Sequence, residues 1–280
     1  MANEAVLALI RSELQAAADP TRGAAAQAYM KSPTPSLGVR VPEVRRTTKA
    51  VAAAHPFETA EDLRSTVLVL WREARYREER YAAIDLTGLR SVAGDPRMLP
   101  VYEEIIRTGS SWDYVDGVAH RIGTLLQAHR EELTRVLLQW SANRDFWIRR
   151  ASITAQLGAK FQTDTGLLSA VIEANLADRE FFIRKAIGWA LREYAKTDPK
   201  WVLDFVTRNG PSLSPLSRRE ALKNVQVEIT GRVVTGWSAL LKSSLVLRSR
   251  KIRYRANSRA MMAAALRASA RARPRSPVCR

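Results

Sequence analysis

Residues 144–151 read Arg-Asp-Phe-Trp-Ile-Arg-Arg-Ala, and residues 179–186 read Arg-Glu-Phe-Phe-Ile-Arg-Lys-Ala. Five of the eight positions are identical, and the other three exchange Asp for Glu, Trp for Phe and Arg for Lys. The offset is 35 residues. In the same register, small residues recur at Ala82, Gly117, Ala151, Ala186 and Ala221, in steps of 35, 34, 35 and 35. A period near 35 in a helical chain is the mark of stacked helix pairs, an all-α solenoid. Small residues at one repeated position let neighbouring helices approach closely.

Working outward, the same helical patterning covers most of the chain. Val6, Leu7, Leu9, Ile10 and Leu14 put an apolar face on a helix from Glu4 to Ala18, stopped by Asp19-Pro20. A second helix carries Ala24 to Met30, and Ser32 to Gly38 is a loop by its Pro and Gly content. Pro42 opens a third helix at its first turn. Helices are expected over 59–74, 77–88, 96–108 and 112–127, and a last pair over 200–208 and 215–229. No run in the first 240 residues alternates with period two for long enough to read as a strand. The expected organisation is a helical body, 1–238, and a basic, disordered tail, 239–280, with one short helix over 239–247.

The net charge of +17 points to nucleic acid, but its location matters. Residues 241–280 hold twelve Lys and Arg and no Asp or Glu, which leaves 33 basic and 28 acidic residues in 1–240. The tail therefore carries most of the excess and reads as a nucleic-acid-binding arm or a dispensable extension. Cys279 is the only cysteine, so no internal disulfide or thiolate metal cluster is available. His55, His120 and His129 are scattered, and a metal site is not expected. No stretch approaches a membrane span, and Met1 to Ala5 does not begin a signal peptide. The expectation is a cytoplasmic protein without metal.

One short stretch carries the candidate chemistry: Ser111-Trp112-Asp113-Tyr114-Val115-Asp116. Trp112 and Asp116 are four residues apart, so a helix puts both on one face. An aromatic face beside a carboxylate suits a cation, including one that develops as a bond breaks. The plain alternative is a core tryptophan and a solvated charge. In the repeat register the equivalents of Asp116 are Tyr81, Arg150, Lys185 and Glu220. Arg150 and Lys185 would then flank Asp116 as cations along a concave wall. Trp112, Trp147, Phe182 and Trp189 lie within about a turn of these positions. Cations interleaved with large aromatics suit a phosphate backbone and its bases. Core packing is the competing account of each aromatic taken singly.

The chain resembles the AlkD family of DNA glycosylases, which are built from HEAT-like helical repeats and remove alkylated purines. The resemblance runs from about residue 5 to about residue 230. It is carried by Tyr29-Met30-Lys31 with Leu37-Gly38-Val39 and Pro42, and by the stretch from Ser111 to Asp116. Trp147 to Ala151, Phe181-Phe182, Lys185 to Thr197 and Leu216 to Ala221 complete it. It implies an α-solenoid of HEAT-like helix pairs with a concave DNA-binding groove. It further implies that Asp116 is the catalytic carboxylate and that Trp112 and Trp189 flank the damaged nucleotide. Tyr29, Lys31, Arg150, Phe181, Phe182, Lys185 and Arg192 would meet DNA. The expected partner is double-stranded DNA carrying alkylated purines, bound by a monomer that needs no cofactor and does not flip the base into a pocket. The family pattern often has a second tryptophan where this chain has Ser111, and the basic tail has no counterpart.

The chemistry fits so few residues. An N3- or N7-alkylated purine already carries a positive charge and leaves readily, so no general acid is needed. What remains is to stabilise an oxocarbenium-like sugar and position a water, which one carboxylate and two aromatic faces can do. The rival readings are a non-catalytic HEAT-like scaffold for nucleic acid or protein, and RNA binding through the same groove.

Overall fold

The computed structural model describes residues 1–229, 232–235 and 252–254. The chain divides into two compact units, Met1–Ile183 and Arg184–Arg280.

In the first unit the helices are α1 (Glu4–Ala16), α2 (Pro20–Met30), α3 (Val41–Ala54), α4 (Ala60–Arg72) and α5 (Arg77–Leu86). They continue with α6 (Leu99–Gly109), α7 (Trp112–Ala128), α8 (Arg130–Ser141), α9 (Phe146–Thr154) and α10 (Thr165–Glu173). Their ends follow ordinary capping chemistry. Asp19 does not simply stop α1. Its carboxylate accepts the Arg22 N–H at 3.0 Å and, with Pro20 in the first turn, starts α2. Thr59 caps α4 by accepting the Asp62 N–H at 3.0 Å, Asp145 caps α9 through Trp147 N–H at 2.8 Å, and Asp164 caps α10 through Leu167 N–H at 3.0 Å.

These helices form two rows. α3, α5, α7 and α9 follow one another as neighbours, while α4 packs on α5, α6 on α7, and α8 on α9. Helices α5, α7, α9 and α11 (Phe181–Tyr194) begin at residues 77, 112, 146 and 181, the same 35, 34 and 35 steps as the repeat. The small residues of that register do the work expected of them. Ala82, Ala151 and Ala186 are wholly buried, and a Cβ on Gly117 would come within 3.0 Å of Ile84 Cγ2 on α5. Between the rows lie Leu63, Val67 and Leu70 of α4, Ile105 and Ile106 of α6, and Val115, Val118, Ile122 and Leu125 of α7, all fully buried. Trp71 of α4 meets Tyr114 of α7 edge to face at 5.2 Å.

α11 crosses the junction between the units, with Phe181 to Ile183 in the first and the rest in the second. The second unit continues with α12 (Pro199–Arg208) and α13 (Pro215–Ala221), capped by Asp198 and Ser214. The last helix is shorter than expected. Instead of running to residue 229, the chain turns after Ala221 into β1 (Gln226–Ile229), which pairs antiparallel with β2 (Arg232–Thr235) and β3 (Ile252–Tyr254) in the order β2-β1-β3. The register pairs Val227 with Val234 and Tyr254, and Ile229 with Arg232 and Ile252. The β-branched Val227, Ile229, Val233 and Val234 lose rotamers in a helix and suit a strand, though each run is too short to show its period in sequence. The short helix expected over 239–247 and, apart from β3, the expected tail 239–280 lie outside the described residues. Among the described residues, no helix is long and apolar enough to cross a membrane.

Candidate active site

α6 ends at Gly109, Ser110 takes the left-handed conformation (φ 44°), and Ser111 is extended, so α7 starts at Trp112. That turn places Asp113 in the first turn of α7 and Trp112 and Asp116 on one face. Trp112 is 38% exposed, so it is not a core tryptophan.

Asp116 lies largely buried and is held by a forked pair. Arg150 Nε donates to Oδ1 at 2.9 Å and Arg150 Nη2 to Oδ2 at 2.8 Å. The remaining arm of the guanidinium, Nη1, donates to the Phe182 carbonyl at 2.7 Å. The side chain of Arg150 is 4% exposed and that of Asp116 is 15%. The donors of Arg150, expected from the sequence to meet a DNA backbone, are directed at Asp116 and the α11 backbone. Burial raises the Asp116 carboxyl above its usual range, Arg150 opposes that rise, and the neighbouring Asp113 charge adds to it.

Aromatic rings steady the far end of this clamp. Phe146 and Phe182 stack, nearly parallel, at 6.5 Å, and Trp147 meets Phe146 at 4.6 Å and Phe182 at 4.9 Å. Trp147 is buried, so its role is packing, whereas Phe181 is 50% exposed and leans edge-on against Phe182. The chain of contact runs from the ring cluster to the Phe182 carbonyl, then to Arg150, then to Asp116.

A second network, missed at the level of sequence, anchors the start of α7. Asp113 accepts from the Tyr81 hydroxyl at 2.6 Å, from Arg77 and from the Ser111 hydroxyl. The Arg77 guanidinium also lies over the Tyr114 ring, 4.7 Å from its centroid. Burial, then the Asp113 charge, pushes the Tyr81 hydroxyl up, so it stays a donor. Burial likewise pushes Tyr114 up to about 12. Ser111, the departure from the pattern with two tryptophans, is thus a ligand of Asp113. Tyr81 could have been found as the repeat equivalent of Asp116, but nothing in the sequence marked Arg77.

The other expected residues are distributed as follows. Tyr29 is 79% exposed near the end of α2, with Lys31 exposed beside it. Trp189 is half-buried on the part of α11 that belongs to the second unit. Lys185 and Arg192, also in that unit, both pair with Glu220 of α13, Lys185 at 3.0 Å. Among the described residues no group of three or more His, Cys, Asp or Glu is arranged to hold a metal.

Residues 10–225 match the family model described as DNA alkylation repair enzyme. The chain belongs to that family. A solved structure described as a predicted DNA alkylation repair enzyme from Enterococcus faecalis is similar at 30% identity and TM-score 0.67, covering 74% of this chain and 95% of that one. An alkylpurine DNA glycosylase, AlkC, from Pseudomonas fluorescens, bound to DNA containing an abasic site analog, aligns more loosely. Its identity is 18% and its TM-score 0.45, over 79% of this chain and 62% of that one. No curated protein matches the chain. Membership of the DNA alkylation repair family agrees with the resemblance read from the sequence at the level of the family, without singling out its AlkD branch.

Proposed function

We propose that this DNA alkylation repair protein is a glycosylase that excises purines made cationic by N3 or N7 alkylation. Asp116 stabilises the oxocarbenium-like sugar, and Trp112 and Trp189 supply aromatic faces to the same nucleotide. The observation that carries this reading is the buried, clamped Asp116 carboxylate one turn beyond a half-exposed tryptophan.

The fork uses one lone pair on each carboxylate oxygen, and each oxygen keeps a second one for water or sugar. Arg150 is therefore a positioning residue. It holds the carboxylate in one orientation and keeps it ionised against the pull of burial. A desolvated carboxylate interacts more strongly with a nearby cation than a solvated one does. No general acid is needed, because the leaving base already carries the charge that protonation would supply. The exposed Tyr29, Lys31 and Phe181 and the half-exposed Lys185 are proposed to meet the duplex, with the base left unextruded. Arg192, paired with Glu220, contributes from the same helix as Trp189.

The test is release of 7-methylguanine from a defined duplex with enzyme in excess. Wild type should release it, and Asp116→Asn should be slowed while still binding the duplex. A wild-type protein that binds the duplex and releases nothing would favour a non-catalytic scaffold.

A further inference from the structure

In the first unit, α3, α5 and α7 line an open cavity of about 360 Å³ whose wall includes neither Asp116 nor Arg150. Its wall includes Arg45 and Lys49 of α3, Asp85 of α5, Gly88 just beyond α5, and His120 and Arg121 of α7. Arg45 and Lys49 are one helical turn apart and so share a face. Three fixed cations meet one carboxylate. Asp85 is buried and already takes Arg45 Nε at 3.0 Å. Lys49 and Arg121 have no hydrogen bond or ion pair among the described residues, and Arg121 Nε is buried without a partner. The Arg121 guanidinium is nonetheless seated rather than loose. It lies against Gly88, where a Cβ would come within 2.7 Å of Nη2.

A concave, polar wall where three cations share the single Asp85 carboxylate and a buried N–H is unmet calls for an anion rich in acceptors. A guanidinium fork beside an ammonium suits a tetrahedral oxyanion. His120 follows Asp116 by four residues, so Trp112, Asp116 and His120 form one column on α7, with about 6 Å of rise per step. A strand lying along that column would meet both places. We propose that this cavity is a phosphate subsite, filled by a backbone phosphodiester of the duplex whose damaged nucleotide lies at Asp116. The inference rests on the DNA reading above, but its test does not need excision.

The full chain, labelled with ¹⁵N, is titrated with inorganic phosphate at fixed ionic strength, and then with an undamaged duplex. Saturable shifts are expected at the amides of Gly88, Gly94 and Arg121, and excess duplex should displace the phosphate. Lys49→Gln and Arg121→Gln should each weaken the phosphate response. Each should also lower the slope of log affinity for duplex against log salt by about 0.9. Lys49 is exposed, so its variant keeps the test open if Arg121→Gln fails to fold. Arg135→Gln on α8 removes the same charge from the other row and should leave the phosphate response intact. No saturable response to phosphate would overturn the subsite. Phosphate that stays bound under saturating duplex, or a protein that binds phosphate and no duplex, would overturn the backbone assignment.

Discussion

Two ion pairs occupy the same position of the helical repeat, one in each unit. In the first, Asp116 of α7 meets Arg150 of α9; in the second, Lys185 of α11 meets Glu220 of α13. Spacing alone makes them equivalent, yet they differ in character. The first is a two-pronged fork with both side chains withdrawn from solvent, and burial raises its carboxyl. In the second, Lys185 is 40% exposed, and Arg192 joins as a further cation on the same carboxylate. Burial also acts to raise Glu220, but Lys185 and Arg192 outweigh it and hold that carboxyl below its usual range. One architecture thus yields a desolvated carboxylate suited to stabilising a passing cation, and a well-paired one suited to holding helices and lysine in place.

The largest expected contrast is in excision. Asp116→Asn should lower single-turnover release of 7-methylguanine by about 10²- to 10³-fold, the scale of a lost electrostatic stabiliser. The amide oxygen still accepts an N–H from Arg150, so duplex binding should persist. Glu220→Gln should leave the rate within about threefold, since its pair is not asked to meet the sugar. Equal losses in the two variants would erase the distinction drawn here. Trp112→Ala and Trp189→Ala should also lose rate. Combined with Asp116→Asn they should be less than additive if all three act on one charge, as proposed.

Stability should separate the pairs next. Arg150→Met leaves a buried carboxylate without its partner, a loss of about 3 kcal/mol in urea unfolding. Lys185→Met breaks a half-exposed pair and should cost no more than about 1 kcal/mol. A similar cost at both sites would mean that burial does not set their difference.

Dependence on pH sharpens the comparison further. If the Asp116 carboxylate acts, single-turnover rate falls as pH drops through its raised pKa, so the acid limb lies above the ordinary aspartate value of 3.8. Arg150 lowers that pKa, so Arg150→Met should move the limb to still higher pH. In the folded state Asp116 disfavours its charge, so its cost to stability is relieved as pH falls. Glu220 behaves oppositely. Its pairing stabilises the fold above the unfolded value near 4.5 and is lost as pH falls through its lowered one. Acid unfolding of Glu220→Gln beside wild type measures that difference.

The smallest effect is on affinity. Lys185→Ala should weaken binding to damaged and undamaged duplex alike and reduce the salt slope by about one. An unchanged slope would confine Lys185 to its bond with Glu220.

Much of this was legible in one dimension. The step from Arg144–Ala151 to Arg179–Ala186 set the helix spacing, because a repeat must present the same small and apolar residues each time a helix meets its neighbour. The column Trp112–Asp116 followed from helical geometry alone. The strands at 226–229 and 232–235 escaped, because four residues are too few to show a period, and β3, the second partner of β1, lies more than twenty residues beyond it. Arg77 escaped because the repeat register sets it opposite Trp112, and only packing shows that it reaches the next residue, Asp113, 36 positions on.

The sequence by itself determined the repeat, the helical class and, at its coarser level, the DNA alkylation repair family. Only tertiary structure decided what each charge does. A charge in a sequence has a sign but no solvent. Arg150 and Lys185 read as the same cation in the same register until packing buried one against Asp116 and left the other half in water beside Glu220. The free energy of a charge depends on its distance from its partner and from solvent, and both are fixed only when the helices pack.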